Sequence, residues 1–154
     1  MKTIKSLFAV LFALLAFSAC EKDGDKIYLQ SLESNNLMAT TDRVELNADL
    51  AQEIVVSLAW TDRTIQISDP AVGTTVTVTN YVEASLSEDF STTVSKTATT
   101  SLSIAFTGLE LNSLASEIGA VTGRNNKIYF RLAGTTGTNI PLVYSNVVSI
   151  DVTP

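Results

Sequence analysis

The chain offers serine, threonine, lysine and carboxylate side chains for chemistry, and it has no histidine at all. That absence excludes a Ser-His-Asp triad, a Cys-His pair, a histidine general base, proximal haem ligation and most zinc sites. A Ser-Lys dyad remains conceivable, but Ser95 and Lys96 are adjacent in a strand-like stretch and project to opposite faces, where no proton can pass between them. Glycoside hydrolysis needs two carboxylates flanking a cleft. Glu88-Asp89 is the only adjacent acidic pair, and it reads as a solvated turn before Phe90. The glycines between Ala133 and Asn139 lead into no helix and so cradle no phosphate. Asp23-Gly24-Asp25 has the start of a calcium loop without its remaining ligands. The residues predict no enzyme, no cofactor and no metal.

Carbohydrate binding asks for less: aromatic rings to stack on sugars, with a few polar groups to grip hydroxyls. Trp60 follows Val56 and Leu58 in alternating phase and reads as core, as do Phe106 and Phe130. Tyr81 and Tyr129 are the candidate ligand-binding residues. Tyr129 faces away from Phe130 and is either exposed or a corner tyrosine bonded to backbone. A polysaccharide is therefore a candidate partner. With 10 Lys+Arg against 16 Asp+Glu, a net charge of −6, nucleic acid is not.

The only cysteine carries a different chemistry. Lys2 and Lys5 precede an apolar run from Leu7 to Phe17, and Ser18-Ala19-Cys20 follows. This is the order of a secretory signal peptide, and the run is well short of the about 20 residues that a membrane-spanning helix needs. Phe17-Ser18-Ala19-Cys20 matches a bacterial lipobox, which makes Cys20 the lipidated first residue of the mature chain, with no second cysteine to pair with it. Acyl chains contribute about 0.8 kcal/mol per buried CH₂, so two or three of them anchor a protein firmly. Glu21, Lys22, Asp23 and Asp25 then form a short acid-rich segment, resembling the tag that sends lipoproteins of Gram-negative gut bacteria to the cell surface. Cleavage removes Lys2 and Lys5, taking the 10 cationic residues to 8 against 16 anionic ones.

These features need a scaffold, and from Ile27 onward the pattern is that of strands. Short apolar-polar alternation is punctuated by turn residues, with Thr and Val abundant. Strands are predicted near Ile27–Gln30, Arg43–Asn47, Glu53–Trp60, Thr64–Ile67, Thr75–Leu86, Thr92–Thr97, Leu102–Thr107, Lys127–Ala133 and Asn146–Val152. Asp69-Pro70, Gly73, Gly123 to Asn126 and Gly134 to Asn139 mark breaks. Ile54, Val56, Leu58 and Trp60 share one face of their strand. Asn80 interrupts the long apolar run Thr75–Leu86, where a bulge or register change is expected. Leu111, Leu114, Ala115 and Ile118 line one face of a helix, with Thr107 and Glu110 as a capping box and Gly119 at its end. The expected fold is all-β: a two-sheet sandwich of immunoglobulin-like or fibronectin III-like type with one short helix. The expected organisation is a signal peptide over 1–19, a lipidated cysteine and acidic tether over 20–26, and one domain over 27–154.

Several segments carry a resemblance. They are Ala19-Cys20-Glu21-Lys22-Asp23-Gly24-Asp25-Lys26, Leu37-Met38-Ala39-Thr40 and Leu58-Ala59-Trp60-Thr61, then Leu111-Asn112-Ser113-Leu114, Ile128-Tyr129-Phe130-Arg131 and Tyr144-Ser145-Asn146-Val147-Val148. In this order, from Leu15 to Pro154, the chain resembles the amino-terminal domain of the SusE family of starch-utilisation outer-membrane lipoproteins. The resemblance implies an immunoglobulin-like spacer near the membrane, at the surface of a Gram-negative cell, beside a SusC/SusD-like transporter complex. In that family the sugar-binding aromatics sit in modules that follow this domain. The chain ends at Val152-Thr153-Pro154, where those modules would begin, so the family's starch-binding residues have no positions here to match.

Overall fold

In the computed structural model the described residues are 29–63, 65–68, 77–137 and 140–154. Two sheets face one another. The smaller has the order β2 (Leu37–Ala39), β4 (Ile54–Trp60) and β8 (Ser103–Thr107). The larger runs β3 (Arg43–Glu45), β11 (Val148–Thr153), β9 (Asn126–Thr135), β6 (Thr79–Ser85) and β7 (Val94–Thr99), with β10 (Val143–Tyr144) also against β9. All these pairs are antiparallel except β3 with β11, which is parallel. A separate antiparallel ribbon joins β1 (Leu29–Leu32) to β5 (Ile65–Ile67). The architecture is the all-β sandwich that the alternation predicts.

The core forms where the apolar faces meet. Val56, Leu58 and Trp60 of β4 pack against Val82 and Ala84 of β6, Ile128, Phe130 and Leu132 of β9, and Ile150 and Val152 of β11. Helix α1 (Gly108–Glu117) closes one side, burying Leu111, Leu114, Ala115 and the following Ile118. Its start is the expected capping box: the Glu110 N–H donates to the Thr107 hydroxyl, and the Thr107 N–H donates to the Glu110 carboxylate at 2.8 Å. Gly119 ends it at φ +92°, a conformation that costs glycine little.

Four local expectations are corrected. Ile54 does not share the core face of β4: it is 66% exposed, because the register with β8 shifts between Ile54 and Val56. Asn80 causes no bulge, and its pairing with Thr99 and Gly134 continues the regular ladders on both sides. Its buried side chain is satisfied instead by Arg63, whose Nε donates to Asn80 Oδ1 at 3.1 Å. Gly134 lies within β9 rather than at a break, and its missing Cβ leaves room for the Arg63 guanidinium. Finally, β2 and β10 are strands where none was expected.

Candidate functional site

Alternation sends every second side chain of the larger sheet outward. Register then decides which of them meet. Glu83 of β6 stands opposite Arg131 of β9 on one side and Lys96 of β7 on the other. The Glu83 carboxylate is 1% exposed, and it accepts from Arg131 Nε at 2.8 Å and pairs with Lys96 Nζ at 2.7 Å. One buried acid is thus shared by two cations, each of which keeps part of its surface in water.

Two rings complete the cluster. The Arg131 Cζ lies 3.9 Å from the centroid of Phe90 and 3.9 Å from that of Tyr144, so the guanidinium is held between aromatic faces. Tyr144 is placed by β10, where it pairs with Ala133, and by the next residue: the Ser145 N–H donates to the Leu132 carbonyl at 3.0 Å, and the Leu132 N–H donates to the Ser145 hydroxyl at 2.9 Å. Phe90 comes from the connection between β6 and β7 and takes φ +57°, a left-handed conformation that a bulky residue adopts only when its surroundings impose it. The restraint is visible. The Asp89 carboxylate accepts from the Ser87 hydroxyl and from the Ser91 N–H at 3.0 Å, while the Phe90 N–H donates to the Ser87 carbonyl at 3.0 Å. The same bonds, the Ser87 hydroxyl first, hold the Asp89 carboxyl at about 2. Glu88-Asp89 is therefore a turn, as its sequence suggests.

Tyr81 and Tyr129 project from this same outer face, both half-buried. Tyr129 pairs with Ser85 and Tyr81 with Ala133, four residues of register apart, or about 13 Å along the strands, with the Glu83–Arg131 pair between them. The Tyr129 hydroxyl forms no hydrogen bond with another described residue, so it is not a corner tyrosine bonded to backbone among them. Tyr81 borders a shallow cleft of about 390 Å³ with Thr79, Thr135, Thr136, Ile140 and Leu142. Trp60 is 4% exposed in the core and contributes nothing to this surface. Ser95 and Lys96 point to opposite faces: the Ser95 hydroxyl donates to Glu117 at 3.1 Å, and Lys96 turns outward to Glu83. Cys20, Glu21, Lys22, Asp23 and Asp25 lie outside the described residues.

The family model described as SusE outer membrane protein matches residues 22–133, a span that includes Tyr81, Glu83, Phe90, Lys96, Tyr129 and Arg131. The chain belongs to the SusE family. SusE membership makes it an outer-membrane protein of the starch-utilisation type. No significant match was found among curated proteins or solved structures. Reading the sequence for function singled out the two tyrosines but missed Arg131, Glu83, Lys96, Phe90 and Tyr144 as a unit. The one available signal was Tyr129 alternating with Phe130, which places Arg131 on the same outward face.

Proposed function

We propose that residues 27–154 form a single immunoglobulin-like domain, a non-catalytic spacer or interaction module at the cell surface, tethered by a lipidated Cys20 and the acid-rich segment over 20–26. The strand orders support the fold: β2-β4-β8 and β11-β9-β6 correspond to the A-B-E and G-F-C strands of an immunoglobulin sandwich. The observation that carries the function is the fate of the large aromatics. Trp60, Phe106 and Phe130 fill the core, so the rings best suited to a starch platform are spent on stability. What is left outward is a charged, hydroxyl-bearing sheet face suited to contact with a neighbour in an outer-membrane assembly built around a SusC/SusD-like transporter pair.

Two experiments test this. Cys20→Ala should abolish fractionation with the outer membrane while leaving the domain folded by circular dichroism; a variant that still fractionates with the membrane defeats the anchor. Affinity capture from cells of the producing organism should retrieve the transporter pair with the parent protein, and a capture without it defeats the assembly role. A second reading, a weak carbohydrate-binding module using Tyr81 and Tyr129, is favoured by the threonine-lined cleft beside Tyr81. Retention on insoluble starch that is lost in Tyr81→Ala would select it.

A further inference from the structure

The Arg131 guanidinium has both faces covered by rings and its Nε bonded to Glu83. Neither Nη nitrogen has an acceptor among the described residues, and neither is sealed from solvent; the side chain is 20% exposed. The result is a planar fork whose two end nitrogens remain open to an acceptor. Such a fork matches a carboxylate in bidentate geometry, and its ordering cost has already been met by folding. Glu83 does not compete for that role, because each of its oxygens already serves a cation.

The chain's cations also gather here. An otherwise acidic chain places Arg43, Lys96, Lys127 and Arg131 on this one sheet face, half of the eight cations that remain after cleavage of the signal. Four acids lie among them: Glu45 and Asp151 pair with Arg43 and Lys127, Asp42 lines the same hollow as that pair, and Glu83 is buried beneath Lys96 and Arg131. Arg131 lies on β9, which has neighbours on both sides, so its backbone offers no edge for adding a peptide strand. Recognition there must use side chains alone. On either side of the fork stand Tyr129 and Tyr81, with Ser149 and Thr135 beside them, which are rings and hydroxyls suited to sugar.

We infer that this face is a binding site for an acidic oligosaccharide, with the carboxylate of a uronate residue held by the Arg131 Nη pair and the adjoining sugars lying on Tyr129 and Tyr81. The site goes beyond the spacer role and does not rest on it. The test uses the detergent-solubilised full-length protein, titrated by calorimetry with an oligogalacturonate, its carboxyl-reduced neutral counterpart, maltoheptaose and oligoglutamate. The oligogalacturonate should bind, and the two neutral sugars and the peptide should bind at least tenfold more weakly. Arg131→Lys keeps the charge but not the fork, and should weaken oligogalacturonate binding at least tenfold at an unchanged far-ultraviolet spectrum. Tyr129→Ala, outside the stacked cluster, should weaken it severalfold and serves if Arg131→Lys fails to fold. Equal binding of the neutral sugars would overturn the inference and favour plain starch binding. Equal binding of oligoglutamate would overturn it in favour of an acidic protein partner, and no binding by the folded parent would remove the site altogether.

Discussion

Glu83 and Arg131 are 48 residues apart in sequence and meet at 2.8 Å across the central pair of strands of the larger sheet, the acid buried and the cation reaching to solvent. The pair locks β6 to β9 through side chains as well as through the ladder, and it aims the guanidinium that Phe90 and Tyr144 clasp. Breaking a fully buried pair by removing one partner costs roughly 3–5 kcal/mol. Here both cations keep contact with water, so the loss is smaller. Glu83→Gln should destabilise the fold by about 1–3 kcal/mol in urea unfolding, and Glu83→Gln combined with Lys96→Gln should cost less than the sum of the two single changes. A neutral Glu83→Gln would show that the rings alone position Arg131.

Asp89 makes the loop that carries Phe90 sensitive to acid. Its carboxyl is held at about 2 by the Ser87 hydroxyl and the Ser91 bonds, below an ordinary aspartate. A group with a depressed folded value contributes stability above its unfolded value, near 4, and loses that contribution as pH falls through its folded value. The difference in urea midpoint between the parent and Asp89→Asn should therefore be constant from neutral pH to about 4 and shrink steadily towards pH 2. A difference independent of pH across that window would mean that the carboxylate charge does nothing for the loop.

The long alternating strands were legible because one face of each is buried. β9 and β11 show it best, since Ile128, Phe130, Leu132, Ile150 and Val152 are all fully buried and all in phase. β2 and β10, three and two residues long, are too short to display a period, and tertiary pairing alone defines them. Asn80 looked like an interruption because its partner, Arg63, sits 17 residues away and is recruited only by the fold. The outer-face cluster was invisible for the same reason. Glu83, Lys96 and Arg131 come together through register, Tyr144 through a two-residue strand and Phe90 through a left-handed turn, and none of these leaves a local pattern. The capping box over Thr107 and Glu110 was readable because both partners lie within one turn.

Gly108 opens α1 where helix propensity and packing disagree. Replacing glycine by alanine inside a helix is worth up to about 1 kcal/mol on propensity. A Cβ on Gly108, however, would run into the Leu50 carbonyl, which is backbone of the preceding 3₁₀ turn, Ala48–Leu50. The two segments are tied together: the Gly108 N–H donates to the Glu53 carbonyl at 3.0 Å and the Leu109 N–H to the Ala51 carbonyl at 3.1 Å. Neither backbone can retreat without losing these bonds, and overpacking of this kind costs roughly 1–3 kcal/mol. Gly108→Ala should lower the urea midpoint despite its better propensity, and a raised midpoint would mean that the helix start shifts freely.

Trp60 belongs to a core built for stability and not to a sugar-binding surface. It closes β4 beside Leu58 and opposite Leu37, at 4% exposure, and its indole nitrogen has no hydrogen-bond partner among the described residues. A buried ring in apolar surroundings emits in the blue and cannot meet a soluble ligand. Fluorescence of the folded protein should therefore be unchanged by added maltoheptaose. Trp60→Ala should leave a cavity costing roughly 3–5 kcal/mol, a large share of the 5–15 kcal/mol typical of a whole domain. That loss should appear as a much lower urea midpoint in circular dichroism, with Trp60→Phe recovering part of it by refilling the space. If maltoheptaose quenched the parent's emission and Trp60→Ala stayed as stable as the parent, the ring would have to be on the surface, and the division between a stabilising core and a charged binding face would be wrong.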